Sequence, residues 1–353
     1  MKLRVSTNTT GKPWPRWVRM TVLLGVICVS GAGAVYVAMQ EPVADQLPKA
    51  LPLEKVTASA PAGASFRFDR LDGPPRTVVR DANGAVVATM TDGARTVALT
   101  GPARSFKEPA FTTAAVNTTV WVRLLDQPWE AGAEKAQWFR PWLDKVLTDQ
   151  SPDVLAVAME YLNGAPAEKD AKAVRFRGDA QFGPVAAGGA GRLEQSDFLD
   201  YLGLTWTFPD AGARKPKPAH LGALDCSGFV RMVYGYRLGY PLLGTNEAGQ
   251  GLPRRAFAIA ESGPGALVVP NRRQRTTEYG VLQPGDLVFF EVEQGEDQLD
   301  HAGIYLGLDS DGHHRFVSSR ERANGPTFGD LGGTSLLDDG GMYSRGFRAA
   351  RRI

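Results

Sequence analysis

Cys226 and His301 carry most of the chemistry available to this sequence. Its 353 residues hold two cysteines, Cys28 and Cys226, and four histidines, His220, His301, His313 and His314. A thiol next to an imidazole makes a nucleophile–base pair, in which the ring takes the proton and the sulfur attacks a carbonyl carbon. Cys28 lies inside an uncharged apolar run, so Cys226 has no disulfide partner in the rest of the chain. A lone thiol in an exported chain is a liability unless it is buried or used. Phe229, Met232, Val233 and Tyr236 recur at helical spacing after it, and Gly239 and Pro241 mark a stop. A helix therefore begins at or near Cys226, with the thiol at the positive end of its dipole, where thiolate is favoured. Asp225 is placed to cap that helix, though its charge opposes thiolate.

The strands that must bring the base to the thiol follow. Gln283-Pro284-Gly285-Asp286-Leu287-Val288-Phe289-Phe290 reads as a tight turn feeding an apolar strand. In the next strand Ala302, Ile304, Leu306 and Leu308 share one side, with His301, Gly303, Tyr305 and Gly307 on the other. The two glycines leave room beside His301. Asp309 to Gly312 forms a turn, and His313 to Ser319 returns antiparallel. If Leu308 closes against His313, residue 301 lies opposite 320 and Ser318 is its diagonal neighbour, within side-chain reach. Adjacent His313 and His314 point to opposite faces, a poor metal pair, and read as exposed turn-edge residues. His220 reads as a solvated loop residue, and the glycine-rich tract 187–191 as a loop. No metal and no organic cofactor is expected.

Three motifs in this order resemble the NlpC-type family of papain-like cell-wall cysteine peptidases: Asp225-Cys226-Ser227-Gly228-Phe229-Val230, Pro284 to Phe290, and His301-Ala302-Gly303-Ile304-Tyr305-Leu306-Gly307. The resemblance covers about residues 196–353, including Phe347 to Ile353 as a last strand. It implies an α+β, papain-like domain in which a nucleophile helix packs on an antiparallel sheet. It also implies catalysis by Cys226 and His301, with Ser318 at a third catalytic position where the family most often has histidine. Orientation of His301 by Ser318, by a water or by a displaced His314 stays open, with Ser318 preferred. Trp206 stands where the family carries a tyrosine, with Tyr201 as a rival. Asp225, Ser227 and Arg254 are further candidates for substrate or oxyanion contacts, and either Arg254 or Arg255 for a substrate carboxylate. The implied substrate is the stem peptide of peptidoglycan, cut between D-glutamate and a diamino acid through a Cys226 thioester. An amidase or acyltransferase of the same fold, or an inactive wall-binding relative, are the alternatives.

The remaining sequence places this domain in a longer organisation. A net charge of +2 offers no basic face for nucleic acid. A basic lead, residues 1–20, precedes an uncharged run, 21–39, long enough to span a bilayer as an anchor or to serve as a cleaved signal. Either reading puts the C-terminal part outside the cytoplasm, membrane-attached or secreted. An Ala/Pro-rich linker, 40–63, follows. Residues 64–130 read as a small β-rich domain, with Asn83-Gly84 and Asp92-Gly93 as hairpin turns. Residues 131–195 read as a helical connector, with Ser151 capping a helix that has Pro152 at its first position. Oligomeric state is not legible.

Overall fold

The computed structural model describes residues 65–293 and 298–353. The basic lead, the apolar run and the linker lie outside the described residues. Among the described residues no helix is long and apolar enough to cross a membrane.

The first sheet is an antiparallel meander of β1 (Arg67–Leu71), β2 (Arg76–Arg80), β3 (Val86–Thr91), β4 (Thr96–Lys107) and β5 (Ala115–Leu124), in that spatial order. Gly84 and Gly93 adopt φ of 84° and 80° at the two expected turns, a region open to glycine at little cost. Val79, Ala88, Met90, Val97 and Leu99 pack with Trp129, Phe139 and Leu143 into one core. A bulge between Thr100 and Arg104 divides β4 and β5, and Val116 and Val122, on either side of it, belong to the larger core. Asp153, fully buried, accepts from Arg104 Nη1 and Nη2 at 2.7 and 2.6 Å and from the Val122 amide at 2.7 Å. It also caps the helix Val154–Met159 by accepting from Ala156 N. The cap is therefore Asp153, two residues beyond Ser151, because only its carboxylate also satisfies Arg104.

Two short hairpins follow, β6 (Glu168–Lys169) with β7 (Arg175–Arg177) and β8 (Trp206–Phe208) with β9 (Gly212–Arg214). The main sheet consists of β10 (Ala266–Val269), β11 (Leu287–Phe290), β12 (His301–Leu308), β13 (His314–Arg320), β14 (Gly325–Thr327) and β15 (Phe347–Arg352). Its order is β10-β15-β11-β12-β13-β14, with antiparallel neighbours throughout. Phe289, Ala302, Ile304, Leu306 and Val317 turn to the helix that starts at Cys226, meeting Phe229, Val230 and Met232. Val288, Phe290, Tyr305 and Phe316 turn the other way, toward Leu337, Tyr343 and Phe347.

The two sheets share buried polar contacts. Arg352 chelates Asp286 at 2.8 Å through Nε and Nη2 and donates to Thr91 Oγ1 at 2.7 Å. Thr96 N donates to Ile353 O at 2.6 Å, and Glu108 accepts from Thr327 Oγ1 and Phe328 N at 2.9 and 2.8 Å. Arg352→Met would leave Asp286 ionised and unpaired in a dry site. A loss of about 3–5 kcal/mol in a urea or thermal unfolding measurement is the expected result.

Candidate active site

The helix carrying Cys226 spans Cys226–Val230 and continues as a wider π-helical segment through Arg237. Asp225 caps it, accepting from Gly228 N at 2.7 Å and Ser227 Oγ at 3.2 Å. Arg254 closes on this cap, donating to Asp225 Oδ2 and Ser227 Oγ, both at 2.8 Å, and approaching Asp197 at 3.5 Å. Asp197 in turn chelates fully buried Arg231 at 2.9 and 3.1 Å. Arg254, Asp225 and Ser227 are thus tied to one another, and Arg254 is not free to meet a substrate. Arg255 is held only by a longer, half-exposed contact to Glu194 at 3.5 Å, and with Glu194, Glu293, Gln298 and Asp300 it lines a polar cleft. Burial alone would raise the Asp225 carboxyl, but the charge and hydrogen bond of Arg254, with the Gly228 amide, hold it below the ordinary range.

The Cys226 sulfur meets the strand on both sides of His301. Sγ donates to the Asp300 carbonyl at 3.8 Å, and the Ala302 and Ser227 amides face it. Cys226 is 6% exposed and His301 8%. These conditions reverse the expected activation. Burial pushes the thiol well up, and the charges of Asp225 and Glu194 push the same way, against the two amides. Burial first, then the Arg320 charge, pulls His301 down to about 3. At rest the thiol and the imidazole are both neutral, because desolvation outweighs the dipole of a short helix.

Register explains what surrounds the ring. The turn pairs Leu308 with His314, one residue off the expected closure. A bulge between Tyr305 and Gly307, with Gly307 at φ 109°, restores Ile304 opposite Val317. Continuing that pairing three residues sets 301 opposite 320, as the sequence predicts. The space at Gly303 is not open for substrate: a Cβ there would lie 2.7 Å from the Phe316 ring. Ser318 Oγ accepts from Arg320 Nε at 3.0 Å, and His301 Nε2 is buried with no hydrogen-bond partner. Ser318 is therefore turned to Arg320 and not to the imidazole. His314 sits at the far end of β13, with Nδ1 2.6 Å from the Tyr305 hydroxyl and its ring stacked on Tyr279, so it does not reach His301. It is half-buried, not an exposed edge residue, whereas His313 pairs with Asp338 at 3.3 Å.

Trp206 packs edge-on against Phe198 and Tyr236, and the Tyr201 hydroxyl donates to Gly178 O at 2.8 Å. Neither hydrogen-bonds the thiol or the imidazole. His220 is buried, not solvated, with Nδ1 2.8 Å from Ser196 Oγ. Two neighbours of His301 went unnoticed in the sequence, Arg320 and Tyr343. The register that set 320 opposite 301 was a usable signal for the first. Tyr343, on the five-residue helix Met342–Gly346 after a long loop, left none.

A sequence model of the NlpC/P60 family matches residues 210–328, which hold both Cys226 and His301. Residues 210–328 are an NlpC/P60 domain. That family implies peptidase- or amidase-type activity on the cell wall. The domain as folded here is α+β, an antiparallel sheet with few helices. Among solved structures, an NlpC/P60 family protein from Bacillus cereus ATCC 10987 is 13% identical over 81% of this chain and 78% of its own; a TM-score of 0.28 leaves that likeness without weight. No curated protein matches.

The electrostatics of the NlpC/P60 site make a direct expectation. Because the thiol is raised, iodoacetamide should modify Cys226 at pH 7 more slowly than it modifies free cysteine. The rate should still be climbing above pH 9, the reverse of a thiolate already formed at rest. Mass spectrometry of the alkylated chain across a pH series reads this out.

Proposed function

We propose that this protein is a cysteine endopeptidase acting outside the cytoplasm on peptidoglycan stem peptides, cutting between D-glutamate and a diamino acid. The observation that carries the reading is the placement of Cys226 Sγ against the backbone on either side of His301, at the capped start of a helix. Substrate binding displaces water and brings the carbonyl carbon to the sulfur. His301 takes the thiol proton as the S–C bond forms, so no free thiolate need accumulate beforehand. Backbone N–H groups in the first turn of the helix face the developing oxyanion. The imidazolium then protonates the leaving amine, and water hydrolyses the thioester to release the acid and restore the thiol. Arg255, in the cleft that Asp300 also lines, can meet a substrate carboxylate in exchange for its 3.5 Å contact with Glu194. The basic lead and the apolar run 21–39 support delivery across a membrane, as an anchor or a cleaved signal.

Digestion of purified peptidoglycan with the full chain, followed by mass analysis of products, tests the reading. Wild type should expose a new amine on the diamino acid. Cys226→Ala should abolish turnover and keep the unfolding midpoint within a few degrees. Release of the whole stem peptide from the sugar would identify an amidase instead. An intact substrate with wild type, under conditions where the chain is folded, would point to the wall-binding alternative.

A further inference from the structure

We infer that Arg320 and Tyr343 position His301 in place of a hydrogen-bonding third catalytic side chain. The inference rests on the proposed function and names the positioning residues of that site. The imidazole completes a triangle of rings: its centroid is 5.1 Å from that of Tyr343, at 35°, and 5.9 Å from that of Phe290, at 50°, and those two lie 5.4 Å from each other. Tyr343 is itself held from above, since the Arg320 guanidinium carbon lies 4.5 Å from its centroid and 5.2 Å from that of Phe316. Such contacts fix the plane of a ring without needing a polar partner on it.

Arg320 is 2% exposed, and the atoms it bonds are all neutral: Ser318 Oγ, Gly329 O, Gly333 O and Ser335 Oγ. Among the described residues no carboxylate lies within ion-pair distance of it. An arginine buried without a counter-charge is costly, and an apolar residue of similar length would fill the space more cheaply. What the cation adds is its field on the neighbouring imidazole. The groups around the His301 ring are Tyr343 from the C-terminal helix, apolar Phe290 from β11 and Arg320 from β13, while Cys226 Sγ meets the backbone on either side of it. Asp300, next to it in the chain, directs its carboxylate to the Val292 and Glu293 amides at 3.0 and 2.7 Å. Glu108 and Asp330 act on Arg320 from farther out.

A nearby cation disfavours a second proton on the ring, so His301 stays a free base well into the acid range. It also makes the imidazolium formed during turnover a stronger acid, suited to protonating the departing amine. The same arrangement explains why serine at 318 is compatible with catalysis: its hydroxyl serves Arg320, and the tilted ring contacts serve the histidine.

The test follows the His301 ring proton by NMR across pH in the full chain, with His301→Gln to assign the signal. In wild type His301 should remain neutral at pH 5. Arg320→Met should move its midpoint up by about one unit or more, and Arg320→Lys should keep it low. On muropeptides, Tyr343→Phe should hold kcat within about twofold, whereas Tyr343→Leu should lower kcat about tenfold with KM little changed. A wild-type midpoint near 6.5, or an Arg320→Met midpoint identical to wild type, overturns the inference whether or not the protein hydrolyses anything. If Arg320→Met does not fold, Arg320→Gln takes its place, with the same upward move expected and an unchanged midpoint overturning the inference. An Arg320→Met midpoint above wild type in a chain that cuts no peptide supports the action of Arg320 and sinks the proposed function instead.

Discussion

The arrangement depends on four charged groups held away from water at the start of the Cys226 helix. Arg231, Asp197, Arg254 and Asp225 alternate in sign along a chain of contacts, so each ion has a partner where solvent cannot supply one. Arg231 comes from the helix continuation, Arg254 from the loop before the helix Ala256–Ser262, and Asp197 from the cap of the helix Phe198–Leu202. The cluster therefore joins three separate segments to one point in space. That point is one residue from the thiol. No member can leave without stranding its neighbour, and this fixes where the sulfur meets the sheet.

The same dryness sets the chemistry. In water a thiol at a helix start loses its proton more readily. Here the carboxylates that organise the helix, together with burial, hold the proton on sulfur. Burial and Arg320 keep it off the imidazole. A pair neutral at rest need not be inert, since proton transfer can accompany attack once a carbonyl is in place. It does mean that reactivity waits on substrate.

The first sheet takes part in the same construction. Its strands reach into the core under the Cys226 helix through Val116 and Val122, and a Cβ at Gly285 would come 2.8 Å from Val122. Arg352 and Glu108 close the contact with buried hydrogen bonds. An extension bound this way stiffens the sheet that carries His301. Its edges at β1 and β5 differ accordingly: β1 is mostly exposed, while β5 runs along the helix Val154–Met159.

Local chemistry was enough to read several features from the amino-acid order alone. Helical spacing after Cys226, the alternation on either side of His301 and the Asn-Gly and Asp-Gly turns each depend on neighbours a few residues away. The placement of 320 opposite 301 came out only because a bulge that the sequence did not announce offsets a turn closing one residue off. Tertiary structure decided what depends on distant partners. It determined that Arg254 is consumed by Asp225, that Ser318 turns to Arg320, and that Gly303 makes way for Phe316. It also determined that burial overrides the helix dipole at the thiol. Charge, hydrogen bonding and desolvation act through space, and the residues that set them for Cys226 and His301 lie scattered from Glu194 to Tyr343.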